Sequence, residues 1–218
     1  MDKLKQILFG IDKYSNRNKF VLSLIGDNKI TDIFVYRKPI QKMVKTFLNL
    51  TSLNEIEKNL KNSNYDDIFH LFMLIKIDNN LTVLIEKNEI LNIVLTDIDI
   101  VNRIEKIGKI NIDYNGTLTI NQLLNNTLKK VGEYNYFNYD SRNLNCQRFI
   151  LDILKSNNLF KNEYQNFIYQ NPYEIYKNTG LLGSFNKVIT NLGSTYKILK
   201  GEGLKKNIKM VKKMKMKL

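Results

Sequence analysis

The chain has 218 residues, with 34 Lys+Arg against 21 Asp+Glu, one Cys, one His and no Trp. That length suits one ordinary domain with a tail and excludes two large ones. With 43% hydrophobic and 25% charged residues, wholesale disorder is excluded too. A single cysteine excludes a disulfide framework and Cys-cluster zinc sites, a single histidine excludes His-rich metal chemistry, and no cofactor or metal is expected.

Residues 19–36 place two apolar-rich runs around Gly26-Asp27-Asn28, which predicts a β-hairpin. Residues 40–61 carry Ile40, Met43, Val44, Phe47 and Leu48 at helical spacing and predict an amphipathic helix, with Ser52 a cap for a second short one. Residues 68–77 and 81–86 read as strands joined by Asp78-Asn79-Asn80, and 89–101 as a third strand. Residues 118–131 predict a helix capped by Thr119, followed by a polar-aromatic loop over 134–143. Over 144–156, Cys146, Phe149, Ile150, Ile153 and Leu154 fall at i, i+3, i+4, i+7 and i+8, the clearest helical stripe in the chain. Two short helices are expected around Asn171-Pro172 and Gly180–Ser184. Strands and helices segregate along the chain, so the expected class is α+β.

The charge is uneven. Lys205, Lys206, Lys209, Lys212, Lys213, Lys215 and Lys217 follow Glu202 with no acid among them, and supply seven of the net thirteen charges. Such a tail suits a nucleic-acid backbone or an anionic membrane surface, or serves only as a solvated terminus. Met210, Met214 and Leu218 would form a short apolar stripe on a helix there. The N-terminal MDKLKQILFG lacks a signal-peptide core, and no apolar run is long enough to span a bilayer. An intracellular or virion-internal protein is expected.

Cys146 falls in the first turn of its helix, with Asn143 or Asn145 near the N-cap. Orphan N–H groups and the positive end of the helix dipole favour the thiolate there, which is the nucleophilic form. A buried structural thiol is the competing reading, because Cys146 also belongs to the apolar face. His70 opens a long apolar strand, where a general base can be held in place, although a lone histidine is commonly structural. Cys146 with His70 is the one Cys–His dyad this chain can make. A third group that fixes the imidazole depends on hairpin register. If residue i pairs with 158 − i, Asn88 lies opposite His70 and Glu86 shares its face. One step of slip would bring Glu89 opposite His70 and turn Glu86 away.

The runs YDDIFHLFMLIKIDNNLTVLIEKNEIL at 65–91 and YFNYDSRNLNCQRFILDILKSNNL at 136–159 resemble the circularly permuted branch of the NlpC/P60 papain-like thiol hydrolases, which includes lecithin–retinol acyltransferase. In that branch a His strand precedes a Cys helix that begins Asn-Cys, a polar residue and an aromatic one nearby. Here that is Asn145-Cys146-Gln147-Arg148-Phe149. The resemblance implies an antiparallel sheet carrying His packed on a helix whose N-terminus carries Cys, with Cys146 as nucleophile, His70 as base and Glu86 as the orienting residue. At the helix start the Cys146 N–H would stabilise an oxyanion, with Tyr139 in the preceding loop a candidate second donor. The lipid-acting members often carry His as the third residue, so the acidic Glu86 questions the subfamily more than the dyad. FHL, EKNE and NCQ-x-F are also similar to proteins of large DNA viruses and virus-like mobile elements. An AT-rich source fits the 31 Asn, 27 Ile and 29 Lys and the absence of Ala.

The resulting division is 1–64 as an N-terminal hairpin and helix, 65–160 as the permuted papain-like core, 161–203 as a helical extension and 204–218 as a basic tail. The implied substrate is a peptide, an amide or an acyl ester. The rival is a non-enzymatic virion structural or packaging protein that contacts capsid proteins and uses the lysine tail for nucleic acid or membrane.

Overall fold

The computed structural model describes residues 10–39, 55–63, 67–97, 108–140, 143–175 and 177–178. Residues 40–54 of the helical stretch expected over 40–61, the end of the strand expected to 101, the helix at Gly180–Ser184 and the lysine tail lie outside the described residues.

Five antiparallel strands make one sheet: β1 (Ile30–Pro39), β2 (Phe69–Ile77), β3 (Leu81–Lys87), β4 (Leu91–Thr96) and β5 (Gly108–Ile112), in the order β4-β3-β2-β1-β5. Strands β1 to β4 form a meander, and β5 returns to pair with β1. The N-terminal segment and the segment from 65 onward therefore share one sheet. The helices are α1 (Asn16–Ile25), α2 (Glu55–Asn62), α3 (Ile120–Phe137), α4 (Cys146–Ser156), α5 (Gln165–Ile168) and α6 (Pro172–Ile175). The class is α+β, as expected.

The first arm of the expected hairpin is instead helix α1. Its buried residues Asn18, Val21, Leu22 and Ile25 have the i, i+3, i+4, i+7 spacing of one helical face, and Ser15 caps it by accepting from Asn18 N–H. Gly26 ends that helix, and the turn closed by Asn28 N–H on Ile25 C=O joins a helix, not a strand, to β1. A Cβ on Gly26 would come within 2.4 Å of the Asn121 side chain, because α3 starts against this corner and Asn121 N–H donates to Gly26 C=O. Helix α1 also finishes the sheet. Asn18 donates to Leu91 C=O at 2.7 Å and accepts from Ile93 N–H at 3.1 Å, so a buried amide occupies a strand's place beside β4.

Thr119 caps α3 with a full capping box to Gln122, as expected. The helix does not stop at 131: residues to Phe137 remain helical, across a break at Gly132, whose φ of +80° is open to glycine. The loop expected from 134 therefore starts after Phe137. This extra turn buries Tyr136, whose hydroxyl lies 2.8 Å from that of Tyr14 and whose ring packs edge-on against Phe149 of α4.

Alternation divides the sheet residues into two sets. Ile33, Val35, Leu71, Met73, Ile75, Val83, Ile85 and Ile93 join the main core with α1, α3 and α4. Phe34, Tyr36, Lys38, His70, Phe72, Leu74, Leu84 and Glu86 belong to the opposite set, and are also buried. With both faces buried, these strands carry near-continuous apolar runs. Strand β5 has only Ile110 and Ile112 between polar residues, a pattern too short to read from sequence. Among the described residues, no helix is long and apolar enough to cross a membrane.

Candidate active site

Helix α4 presents Cys146 at its first position. Asn145 is the N-cap, its side chain accepting from Arg148 N–H at 3.0 Å, and the stripe of Phe149, Ile150, Ile153 and Leu154 anchors the helix to the core. Burial of those four side chains is worth on the order of 6–12 kcal/mol before conformational entropy is charged against it. The helix therefore has one way to lie, and its N-terminus is aimed at the start of β2.

There the sheet opens. Strand β1 pairs with β2 as far as Phe69, but the β2–β3 ladder runs only from Ile77↔Leu81 to Met73↔Ile85. Beyond that point the Leu71 N–H has no ladder partner in β3 and donates to the Cys146 sulfur, as does the Gln147 N–H. The thiol thus sits at the end of the split ladder, reached by backbone donors from a strand and from its own helix.

The ladder places 73 opposite 85, so the register is the one whose pairs sum to 158, and it puts Glu86 on the face of His70. His70 Nε2 lies 3.0 Å from Glu86 Oε2. Its side chain also hydrogen-bonds the Cys146 thiol. With Nε2 on the carboxylate, Nδ1 is the nitrogen left for the sulfur. Asn88 donates to the other Glu86 oxygen at 3.3 Å. Glu89, the alternative third residue, is exposed and is not brought to His70. Lys87 confirms the alternation: it turns to the helical side, where its Nζ donates to Asn135 C=O at 2.7 Å and lies over the Phe149 ring.

Burial is deep, at 7% exposure for Cys146, 5% for His70 and 0% for Glu86. Burial alone would raise the thiol. The His70 charge and hydrogen bond, with the two backbone N–H groups, outweigh it and hold Cys146 below its ordinary value. Burial alone would lower His70. The thiolate and Glu86 outweigh it and raise the imidazole to about 9. The two shifts belong to one coupled pair in which each charge favours the other, the thiolate held down by the imidazolium and the imidazolium held up by the thiolate.

Two further residues hold the pair in register. Gln170 is buried just after α5. Its Oε1 accepts from Phe69 N–H at 2.9 Å and its Nε2 donates to Asp67 C=O at 2.6 Å, gripping the entrance of the His70 strand. Its own N–H donates to Gln147 Oε1 at 2.8 Å, and Gln147 Nε2 reaches Gln170 Oε1 at 3.4 Å. One amide pair therefore ties the residue after the cysteine to the residue before the histidine. The sequence reading missed Gln170, since a glutamine among loop residues carries no periodic signal; Gln147 was visible only as part of NCQ.

Tyr139, the candidate second oxyanion donor, is half-buried next to the Asp140–Leu144 bridge and is not among the groups that bond the sulfur. Among the described residues, no three His, Cys, Asp or Glu side chains are grouped to hold a metal ion. No protein-family model, curated protein or solved structure matches the chain.

Proposed function

We propose that the protein is a cysteine hydrolase or acyltransferase of papain-like type, built on the permuted NlpC/P60 arrangement, with Cys146, His70 and Glu86 as its triad. The observation that carries this reading is the single imidazole bonded to the thiol on one side and to a buried carboxylate at 3.0 Å on the other, with the thiol pulled down and the imidazole raised.

The chemistry follows from that charge state. The thiolate attacks the carbonyl carbon of a peptide, amide or ester, forming a C–S bond while the carbonyl π pair moves onto oxygen. As that oxyanion collapses, the bond to the leaving nitrogen or oxygen breaks and the His70 imidazolium gives it the proton. Neutral His70 then takes a proton from water, or from an acceptor hydroxyl or amine. That nucleophile displaces the thiolate and frees the product. Glu86 keeps the imidazole in one orientation and stabilises its charged form. The Cys146 N–H at the head of α4 is the first oxyanion donor in this scheme, where loss of one donor costs about 3–4 kcal/mol in comparable sites.

The test is labelling of the purified protein with a thiol-directed electrophile, a peptidyl or lipid-like vinyl sulfone to which the thiolate adds, across a pH series. Modification of Cys146 at and below neutral pH, absent in Cys146→Ala and His70→Ala, is the expected result. Labelling that rises only as an ordinary thiol ionises, or none in the folded protein, would leave the second reading. That reading is a non-enzymatic virion protein on the same fold, and the near-complete burial of the triad is the feature that favours it.

A further inference from the structure

Beside the triad, two polar atoms are buried with no bond to any described residue. Lys38 and Tyr36 are two residues apart on β1, so their side chains project from the same face. Both are almost wholly buried, at 4% and 1% exposure. Among the described residues, neither Lys38 Nζ nor Tyr36 Oη has a hydrogen-bond partner. An ammonium without a partner in such a place costs several kcal/mol, and a hydroxyl about 1–3 kcal/mol, unless something arrives to accept from them.

Their position relates them to the chemistry. Lys38 is the cross-strand partner of His70, and Tyr36 that of Phe72. Directly opposite residues have Cβ atoms about 4.5–5.5 Å apart. The Tyr36 ring is fixed by stacking on Phe72, with centroids 5.4 Å apart and planes 8° from parallel. Among the described residues, the other charged groups of this face are Glu86, Lys109 and, further along the strands, Lys76 over the Phe34 ring and the exposed Asp32. Glu86 feels the Lys38 charge, but its oxygens are bonded to His70 and Asn88. Lys109, exposed on β5, lies 5.9 Å from the Tyr36 ring and adds a second positive charge toward solvent. Two donors, one of them cationic, thus stand beside a buried carboxylate that is already engaged. What they lack is an acceptor with negative charge.

We propose that Tyr36 Oη and Lys38 Nζ form an anion subsite beside the His70–Glu86 pair, which receives a carboxylate or phosphate carried by the substrate close to the bond that is cut. The assignment rests on the hydrolase reading for its role in substrate choice, but not for its chemistry. Burial pulls the Lys38 ammonium down to about 8 against the opposing pull of Glu86, so near neutral pH it is charged at an electrostatic cost that a bound anion would remove.

Two measurements test it. The first compares alkylation of Cys146 by iodoacetate and by iodoacetamide, which differ in charge and little in size, in the wild type, Lys38→Met, Lys38→Arg and Tyr36→Phe, with Lys58→Met as a surface control. Lys38→Met should lower the iodoacetate rate about five-fold relative to the iodoacetamide rate, on the scale of one screened charge at close range. Tyr36→Phe should lower it less, Lys38→Arg should restore it, and Lys58→Met should leave it unchanged. Equal loss with both reagents would make Lys38 a counter-charge for Glu86 and overturn the proposal, as would an unchanged ratio. The second measures stabilisation of the folded protein by acetate and by inorganic phosphate at constant ionic strength, in a Cys146→Ala background with and without Lys38→Met. Stabilisation that depends on Lys38 supports the subsite, and the better anion tells carboxylate from phosphate. Its absence overturns the subsite. An inert thiol with Lys38-dependent anion binding would defeat the hydrolase reading and leave the subsite standing.

Discussion

Glu86→Gln is the sharpest probe of how the triad is charged. The side chain keeps its size, and an amide oxygen can still accept from His70 Nε2, so what disappears is the negative charge 3.0 Å from the ring. A hydrogen bond to a charged partner is worth about 1.5–3 kcal/mol where a neutral one gives about 1. The charge itself therefore contributes on the order of 1–2 kcal/mol in this buried setting, close to 1 pKa unit at 1.36 kcal/mol per unit. The Lys38 ammonium, which loses the attraction of Glu86 when that charge is removed, pushes the same way. His70 should fall from about 9 toward about 8 or below. Because the two sites titrate together, the shift moves the proton from His70 back to sulfur in the state that carries one proton between them. Alkylation of Cys146 by iodoacetamide, followed by mass spectrometry of the intact chain across pH, reads that state directly. In the variant, the equilibrium constant between the two one-proton forms should fall about ten-fold by the one-unit shift above, and the alkylation rate near neutral pH should fall by up to that factor. It should converge with the wild type at high pH, where the thiolate stands beside a neutral imidazole in both. A loss of equal size at every pH, or an unchanged profile, would refute the argument that Glu86 acts through the charge on His70.

Gln170→Ala removes an amide that bonds Phe69 N–H, Asp67 C=O and Gln147, and it should destabilise the protein by about 2–4 kcal/mol in urea unfolding, since each buried bond is worth about 1 kcal/mol and the stranded partners cost more. If the amide also holds the dyad in register, the variant's Cys146 should lose its reactivity at neutral pH under conditions where the fold is intact, and Gln170→Glu should not restore it. Deletion of 204–218 removes seven lysines and should abolish any salt-sensitive binding to duplex DNA. Binding by the full chain should weaken with log salt at a slope no steeper than about −6, the limit for seven phosphate contacts. Binding that survives the deletion would place the nucleic-acid contact elsewhere, or remove it from the account.

The site was more legible in the sequence than the fold around it. Cys146, with four apolar residues at helical spacing and Asn145 before it, specifies a helix start in any context, and the structure has it there with Asn145 as the cap. His70 and Glu86 lie on strands whose register the composition left open, because both faces are apolar; only the ladder Met73↔Ile85 selects the face. Helix α1 was misread because Phe20 to Ile25 is apolar enough to serve either period, and Gly26-Asp27-Asn28 looks like a hairpin turn. The deciding signal was the polar Asn18, buried on the same stripe to bond the edge strand β4. Such long-range polar contacts, like those of Gln170 and of Lys38, leave no periodic trace, since they are fixed by where distant strands meet.

The placement of the thiol follows from one departure from regular structure. Had the β2–β3 ladder continued past Met73, the Leu71 N–H would be consumed by β3 and the sulfur would meet only hydrocarbon from the strands beneath it. Burial would then raise the thiol, as it does for an ordinary core cysteine. Ending the ladder early frees a backbone donor and lets His70, whose side chain belongs to the face away from α4, reach the sulfur. The Gln147–Gln170 pair, together with Asp67, supplies the bonds that the strand entrance gives up at the same point. A nucleophile at the head of a helix packed on one face of a sheet and a base whose strand points it to the other face meet here where the sheet is split, so the split is as much a part of the site as the side chains.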